Sequence, residues 1–334
     1  MIHYRRFRNT DPPGLMEVWN DAFTQRGAIR MQTSSPLERH AFAKLYFDPA
    51  GLIIAEEGGV CVGFAHAGFG SDSKGKGLLP EAGVTCLLGV RATHRRRGIG
   101  TELLRRSESY LRERGAHTLY AGAMHPVNPF YLGAYGGSEL PGILASDGLA
   151  APFLTRNGYR AVRKVLVLQR RLTQTIKSVD PRFVALRSRY ELREDPRSRL
   201  GSWWSECVFG LVEPLEFYLA DKTTNERVAR ALVWEMEGFS YRWSQPSVGL
   251  TDLSVRPDLR RKGLAKFFLT QVMRRIQDQY YEIMEAQAPE AEAPVLGLLG
   301  GLGFEQADVG QLYQKQDETV VGQLEQRPDD TIRD

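Results

Sequence analysis

Apolar and polar residues follow one another along this chain in an order that occurs twice. An apolar run from Val84 to Val90 precedes a short basic turn and a stretch with helical spacing from about Gly98 to Arg114. A second run, from Val248 to Val255, leads in the same way into helical spacing from about Gly263 to Tyr280. Apolar and β-branched runs predict buried strands, and a one-faced apolar pattern with a 3.6-residue period predicts helices. The chain is therefore predicted to contain two long strands, each followed by a long helix.

Other segments match between the two halves in the same order. FRNTDPPGLMEVWNDAF from Phe7 aligns with LREDPRSRLGSWWSECV from Leu192, and RNGYRAV near Gly158 aligns with GLGFEQA near Gly303. A consistent order of matches at a similar separation indicates an internal duplication. Each unit is predicted to run strand, helix or helices, strand pair, long strand, long helix, strand, short helix, strand. That order predicts a mixed α/β sheet.

The duplication predicts an α/β protein with an α+β mixed sheet, built from two tandem domains. The predicted N-terminal domain spans 1–173 and the C-terminal domain spans 182–316, followed by a polar tail, 317–334, predicted to be disordered. The first unit is longer by roughly 20 residues between its basic turn and its short helix, and this insertion is placed at about 125–148. Two domains suit a chain of 334 residues.

Composition narrows the class of protein. Hydrophobic residues make up 42% of the chain and charged residues 25%, which is typical of a globular protein. The three cysteines are far apart and the histidines are not clustered, so neither a disulfide framework nor a metal site is expected. The N-terminus has no apolar signal region, and no apolar run reaches about 18 residues. We therefore expect a cytoplasmic protein with no membrane partner.

The two basic turns are the strongest candidates for ligand binding. They read HRRRGIG from His94 to Gly100 and LRRKGLA from Leu259 to Ala265. The first amides of a helix have no partner inside the helix, and the helix dipole adds partial positive charge there. Small residues leave those amides accessible, and the basic side chains attract an anion such as pyrophosphate. The net charge of only +4, with arginines mixed among acids, argues against nucleic acid as a partner.

Read together with the strand ends before them, the turns resemble a known family. VRATHRRRGIG and VRPDLRRKGLA are similar to the V-x-P-x-x-R/Q-x-x-G-x-G/A signature of the GNAT superfamily of acetyl-CoA-dependent N-acetyltransferases. The order of elements resembles that family twice, as in mycothiol synthase-like tandem acetyltransferases. The resemblance implies acetyl-CoA as cosubstrate without a metal, and a small-molecule or peptide amine as acceptor. It also implies that the two domains pack as a pseudo-dimer within a monomer.

The resemblance also implies which residues contact the coenzyme, with the pantetheine arm beside the long strands and the pyrophosphate on the turns. The implied pantetheine contacts are Leu88, Gly89, Val90, Leu253, Ser254 and Val255. The implied pyrophosphate contacts in the first unit are Arg95, Arg96, Arg97, Gly98, Ile99, Gly100 and Thr101. Those in the second unit are Arg260, Arg261, Lys262, Gly263, Leu264, Ala265 and Lys266.

The catalytic groups are less clear. The family often takes its acid from a tyrosine in the short helix, but Leu154 and Leu299 occupy the matching positions here. The insertion offers replacements, and from it we predict Tyr131 or Tyr135 as the acid, on a segment that either closes over the acceptor or is a plain surface loop. The other polar side chains of the insertion are His125, Asn128 and Glu139. Asp252, on the second long strand, is either the base or a polar residue where strands separate.

The leading hypothesis is transfer of acetyl from acetyl-CoA to a primary amine, by direct attack in a ternary complex. The fuller turn and the polar insertion favour the first unit as the catalytic one, whereas similarity to mycothiol synthase-like tandems favours the second. The alternative is a non-catalytic acyl-CoA-binding or regulatory protein, because both short helices lack the family's tyrosine. Transfer of a longer acyl or aminoacyl group is a further possibility, and fold alone does not identify the acceptor.

Overall fold

One mixed sheet runs through both halves of the chain in this computed structural model, which describes residues 1–176, 180–196 and 200–316. The first half contains β1 (Ile2–Arg6), α1 (Pro12–Ala22), α2 (Ser35–Leu37), β2 (Leu52–Glu57), β3 (Val60–Ser71), β4 (Leu78–Val90), α3 (Ile99–Glu113), β5 (Thr118–Ala121), β6 (Ile143–Leu144), α4 (Ala150–Arg156) and β7 (Tyr159–Arg171). The predicted disordered tail, 317–334, lies outside the described residues.

The second half repeats this order with two additional helices, α5 and α7, and without counterparts of α2 and β6. It contains α5 (Arg182–Arg189), β8 (Tyr190–Asp195), α6 (Trp203–Phe209), β9 (Leu215–Asp221), β10 (Arg227–Glu235), α7 (Glu237–Trp243), β11 (Ser247–Val255), α8 (Leu264–Asp278), β12 (Ile283–Pro289), α9 (Ala293–Gly301) and β13 (Glu305–Lys315). The predicted long strands are therefore β4 and β11, and the predicted long helices are α3 and α8. Both helices have 15 residues and begin at equivalent positions of the duplication.

The strands at the centre of the sheet are exchanged between the two halves. The sheet order is β1-β2-β3-β4-β5-β13-β7-β12-β11-β10-β9-β8, and β6 pairs with β13. The last strand of the first half, β7, pairs with β12 of the second half. The last strand of the second half, β13, pairs with β5 of the first half and with β7. Each half thus supplies its final strand to the sheet of the other, and neither sheet is complete alone.

Each long strand separates from its parallel neighbour at an equivalent place. Strand β4 pairs with β5 only over Ala82–Thr85, and β11 pairs with β12 only over Ser247–Leu250. Next to this point, the pairing of each long strand with its antiparallel neighbour also shifts in register. The shift lies between Thr85 and Leu87 in β4, which pairs with β3, and between Thr251 and Ser254 in β11, which pairs with β10. A bulge of this kind bends a strand and ends its pairing. We call the opening after Thr85 the first fork and the opening after Leu250 the second fork.

The insertion is not the plain surface loop that was one of its two predicted forms. Every residue from 127 to 138 is buried. Its aromatic side chains join an apolar cluster that includes Trp19 of α1, Leu87 of β4 and Trp234 of β10. A second cluster surrounds α8, with Phe267 and Phe268 fully covered. The largest core of the protein is therefore built from both halves, and the insertion is part of it.

The exchanged strands predict that the two halves unfold together. Leu312 of β13 is completely buried in the shared cluster, so Leu312→Ala is expected to lower the free energy of unfolding by about 2–5 kcal/mol. Urea unfolding followed by circular dichroism and by tryptophan fluorescence should give one coincident transition for the wild type and for the variant. Val162→Ala, at a half-exposed position of β7, should change stability by less than about 0.5 kcal/mol. Separate transitions for the two halves would contradict the strand exchange as the source of cooperativity.

Candidate active site

The two basic turns have nearly the same backbone conformation. Gly98 and Gly263 precede α3 and α8 with φ angles of 80° and 83°. Arg96 and Arg261 also have positive φ angles, 62° and 63°. Only glycine adopts such angles without steric cost, which explains the glycine directly before each helix. The duplication predicted from the sequence is therefore also present in the geometry of the turns.

The amides of both turns are available to a ligand. Within the part of the chain that the structure describes, no protein acceptor is paired with the backbone N–H groups of residues 96–101 or 261–266. Six consecutive amides at the positive end of a 15-residue helix form a site suited to a phosphate or pyrophosphate. This is the arrangement that the sequence predicted for both turns.

The basic side chains of the turns differ in their roles. Arg95 donates from Nε to the Val90 carbonyl oxygen at 3.1 Å, and Arg260 donates likewise to Val255 at 2.9 Å. Each of these two side chains thus bonds to the end of the long strand before its turn, and Arg260 also remains exposed. Arg97 forms two hydrogen bonds with Glu57, which lower the pKa of that carboxyl group to about 2. The side chains of Arg96 and Arg261 are exposed and contribute long-range attraction for an anion.

The approach to the first turn is more open than the approach to the second. A side-chain carbon at Gly98 would meet nothing within 4 Å, whereas one at Gly263 would lie 3.0 Å from the Arg182 guanidinium carbon. Arg182 is itself paired with Asp180 at 2.7 Å. The amides of the second turn are therefore flanked by a cation from the start of α5, a neighbour that sequence reasoning missed because it depends on tertiary packing.

The first fork is apolar and filled. Cys86 and Leu87 lie at the bulge of β4 with 1% and 3% of their surface exposed. Leu144 also belongs to this core, and the adjoining Ile143 lies so close to Gly122 that a side-chain carbon there would be 2.7 Å from the Ile143 nitrogen. An amine acceptor has no polar partner among these groups.

The two predicted catalytic tyrosines lie in the same core. Tyr131 is 2% exposed, and its hydroxyl lies 2.7 Å from Nδ1 of His66 on β3. Tyr135 is 2% exposed and accepts a hydrogen bond from the Leu144 amide at 3.2 Å. Burial raises the pKa of both phenols and lowers the pKa of His66 to about 3. Both hydroxyls therefore serve hydrogen bonds inside the protein, and a role as acid would require this segment to move.

The second fork is polar. Asp252 lies in the bulge of β11 with a φ angle of 50°, and its half-exposed carboxylate is 2.8 Å from the Arg230 guanidinium of β10. Thr251, the first residue beyond the paired part of β11, donates from its hydroxyl to Glu139 at 2.9 Å. Glu139 belongs to the insertion of the first half. Sequence reasoning grouped it with the first fork, but the structure places its carboxylate at the second.

A buried carboxylate lies beside the second fork, and sequence reasoning missed it. Glu285 of β12 is 1% exposed and accepts from the Ser138 amide and from Nε2 of Gln169, both at 2.7 Å. Burial raises the pKa of this carboxyl group above its ordinary value. Since Ser138 is in the insertion and Gln169 is in β7, these two partners of Glu285 come from the first half, while Gln287 of β12 also bonds to it. No sequence pattern marked Glu285, because Ser138 and Gln169 are distant from it in the chain.

Two general searches of the described residues complete the description of the site. No group of three or more histidine, cysteine, aspartate or glutamate side chains could hold a metal ion among residues 1–176, 180–196 and 200–316. Over the same ranges, no helix combines the length and the apolar character needed to cross a membrane.

Comparison with known proteins agrees with this geometry. Residues 13–135 match the family model described as the acetyltransferase (GNAT) family. No curated protein sequence matches the chain. A GCN5-related N-acetyltransferase from Sphaerobacter thermophilus is similar in structure, with a TM-score of 0.60, 14% identity, and coverage of 94% of this chain and 95% of that one.

Two further solved structures are similar. A tandem GNAT protein from the clavulanic acid biosynthesis pathway has a TM-score of 0.62 and 14% identity, over 94% of this chain and 98% of that one. A GCN5-related glucosamine N-acetyltransferase region of a fungal multi-domain β-N-acetylglucosaminidase has a TM-score of 0.67 and 15% identity. It matches 94% of this chain, which spans only 38% of that longer protein.

Fold, forks and turns together define a mixed α/β protein with two tandem units of the same architecture. The chain carries a GNAT family domain in its N-terminal part and has, as a whole, the tandem GNAT fold. The resemblance inferred from the two turns is therefore confirmed.

The buried His66 predicts a pH dependence of stability. In the folded protein the pKa of His66 is about 3, below the unperturbed 6.5. As the pH falls, His66 therefore takes up a proton in the unfolded chain before it does so in the folded protein. Because of His66, the free energy of unfolding is expected to decrease as the pH falls from about 6.5 towards 3. His66→Phe should cost about 1–3 kcal/mol at pH 7, by leaving the Tyr131 hydroxyl without its partner, but should reduce the steepness of the acid decline.

The measurement is the free energy of unfolding by urea at several pH values between 7 and 4. His117→Phe is the matched control, because His117 is exposed and its replacement should leave the slope unchanged. An identical slope in the wild type and in His66→Phe would show that His66 is protonated to the same extent in the folded and unfolded states.

Proposed function

We propose that the protein is an N-acetyltransferase that moves acetyl from acetyl-CoA to the primary amine of an acceptor, by direct attack in a ternary complex. The observation that supports this most is the double occurrence of a strand fork next to a helix start with free amides. Beyond Thr85 and Leu250, β4 and β11 no longer pair with their parallel neighbours, and the turns expose amides suited to pyrophosphate.

The residues present fit the coenzyme in the proposed way. The amides of residues 96–101 and 261–266 would hold the pyrophosphate, helped by the exposed Arg96 and Arg261. The edges of residues 88–90 and 253–255 that no longer face a parallel neighbour would hold the pantetheine arm through those backbone groups that are not bonded to β3, β10, Arg95 or Arg260. When bound, acetyl-CoA supplies the thioester that serves as the acetyl donor.

The reaction needs a neutral amine and two proton movements. An ammonium group first gives one proton to a base, and the nitrogen lone pair then forms the C–N bond to the acetyl carbon. The C–S bond breaks, and the thiolate leaves with a second proton from the nitrogen, so that the amide keeps the third. Asp252 lies at the reacting end of the second fork, where its pairing with Arg230 favours the ionised carboxylate.

We place the transfer at the second fork. The second fork offers charged side chains at the start of the unpaired strand, whereas the first is closed by Leu87, Tyr131 and Tyr135. The N-terminal unit, favoured by the fuller turn, has the more open pyrophosphate site, but its fork carries Cys86 and Leu87 where the second fork carries Thr251 and Asp252. The physical reason for this choice is that a charged acceptor needs polar partners to replace its hydration.

A second function is supported for the first half alone. Its open turn combined with a filled fork suits binding of an acyl-CoA without turnover. In that case the first half would be a binding or regulatory unit beside the catalytic second half. Tyr131 and Tyr135 would then have structural roles in the filled fork.

The activity is tested by thiol release from acetyl-CoA with a panel of primary amines. One similar structure is described as a glucosamine N-acetyltransferase region, so glucosamine belongs in the panel with lysine methyl ester and a peptide with a free N-terminus. Direct attack predicts intersecting lines in double-reciprocal plots, whereas a covalent acetyl-enzyme would give the parallel lines of ping-pong kinetics. CoA binding without thiol release for any amine would support the non-catalytic alternative.

If both turns bind CoA and only the second fork transfers acetyl, matched variants of the two turns should give different results. Gly98→Glu places a carboxylate at the open first turn and should abolish CoA binding there, while turnover at the second fork continues. Gly263→Glu should remove binding at the second turn together with turnover. Isothermal titration with CoA should show two sites in the wild type and one in each variant.

Gly98→Ala and Gly263→Ala are the controls for backbone strain. Each introduces a side chain at a positive φ angle, at a cost of about 1–2 kcal/mol in stability, without adding charge. We expect both alanine variants to keep CoA affinity within about tenfold of the wild type. Unchanged affinity in both glutamate variants would contradict the assignment of the turns.

A further inference from the structure

The carboxylate of Glu139 lies where the two strands of the second fork separate. Its Oε1 atom accepts a hydrogen bond from the Thr251 hydroxyl at 2.9 Å, and Thr251 is the first residue of β11 beyond its pairing with β12. The backbone oxygen of Glu139 accepts from Nε2 of Gln287, on β12, at 3.1 Å. Glu139 is therefore bonded to both strands of the fork, one through its side chain and one through its backbone.

The segment that carries Glu139 is held rigidly against the second half. The Ser138 amide donates to Glu285 at 2.7 Å, and the Ser138 carbonyl oxygen accepts from the Trp234 indole at 3.1 Å. Gly137 has a φ angle of 106°, and a side-chain carbon there would lie 1.9 Å from Oε1 of Glu285. Glycine at 137 thus allows the backbone to lie against the Glu285 carboxylate, and Ser138 and Glu139 follow directly at the fork.

The surroundings of Glu139 combine partial burial with charge. Glu139 itself is half-buried, so its carboxylate is only partly hydrated. The groups around the fork are Thr251 and Asp252 on β11, Glu285 and Gln287 on β12, and Arg230 on β10. Arg26, which lines the same pocket as Glu285, adds a second cation, so the three carboxyl groups of Glu139, Asp252 and Glu285 lie near two guanidinium groups. An ammonium group is the substrate chemistry that such an excess of carboxylates favours.

The matching positions of the first fork carry no such groups. The duplication aligns Thr251 with Cys86, Asp252 with Leu87 and Gln287 with Gly122. None of these three can bind a cation or accept a proton from one. The polar set is therefore specific to the second fork, and one of its members comes from the insertion that only the first half possesses.

We propose that Glu139 completes the acceptor site of the second half as the base that takes the proton from the acceptor's ammonium group. This inference rests on the proposed acetyl transfer at the second fork. One N–H bond breaks and its proton goes to the Glu139 carboxylate, which leaves a neutral amine to form the C–N bond. Asp252, the other carboxylate on this side of the fork, is held 2.8 Å from the guanidinium of Arg230 on β10. The acceptor site is thus composite, with coenzyme groups from the second half and the base from the first.

The test compares Glu139→Gln with the wild type in acetyl-CoA assays with glucosamine, lysine methyl ester and the peptide amine. The amide keeps the size of the side chain and can still accept from Thr251, so folding should be preserved. For each amine that the wild type acetylates, kcat/KM at pH 7 should fall by about 100-fold or more. The deficit should shrink towards pH 10, where solvent deprotonates the ammonium group. CoA affinity by titration calorimetry should not change.

Three variants separate this role from a structural one. Thr251→Val removes the hydrogen bond to Glu139 but keeps the carboxylate, and should cost less than about tenfold in kcat/KM. Glu139→Asp keeps a carboxylate and should recover part of the activity that Glu139→Gln loses. Ser146→Ala breaks a contact with Asp308 at the far end of the same insertion and should leave kcat/KM unchanged.

The outcomes separate failure of the inference from failure of the proposed function. If the wild type acetylates an amine and Glu139→Gln stays within threefold at pH 7, the role of Glu139 is overturned while the acetyltransferase proposal stands. A deficit that is the same at pH 7 and pH 10 would also overturn it, since a lost base is replaced by solvent at high pH. If the wild type releases no thiol with any amine, both proposals fail together.

Discussion

The pairing of β7 with β13 is the interaction on which the rest of the structure depends. These strands are the last of their respective halves, and each lies between a strand of its partner half and the other exchanged strand. A strand at a sheet edge leaves backbone donors and acceptors without partners, so neither half could expose its sheet at this place without cost. The exchange joins both sheets, brings the insertion of the first half against β11 and β12, and thereby sets the position of Glu139.

A second constraint is the loss of pairing at the forks. Backbone groups of a strand interior are normally bonded on both sides, and the bulges in β4 and β11 release one side at equivalent residues. The released groups lie next to turns whose amides are also without protein partners. Two forks and two turns thus form two matching surfaces for an extended ligand with an anionic end, as the tandem GNAT fold would lead one to expect.

The two halves agree at the surfaces proposed to hold the coenzyme and differ at those proposed to hold the acceptor. The turns agree within a few degrees at their glycines, yet one fork is closed by aromatic side chains and the other is lined with carboxylates. The insertion accounts for both differences. Its tyrosines fill the first fork, and its Ser138 and Glu139 reach the second. A single segment of the first half therefore gives the two halves different capacities.

The sequence by itself determined the two strand, turn and helix units, because these depend on local periodicity, on glycines at positive φ angles and on amides left free by a helix start. It also indicated the tandem fold and the insertion. Only the tertiary structure decided which strands are exchanged, that Tyr131 and Tyr135 are buried, and that Glu139 belongs to the second fork. Those features depend on contacts such as Thr251 with Glu139 and Gln169 with Glu285, which join residues more than 100 positions apart. No local pattern encodes such contacts, since they follow from how the sheets of the two halves combine.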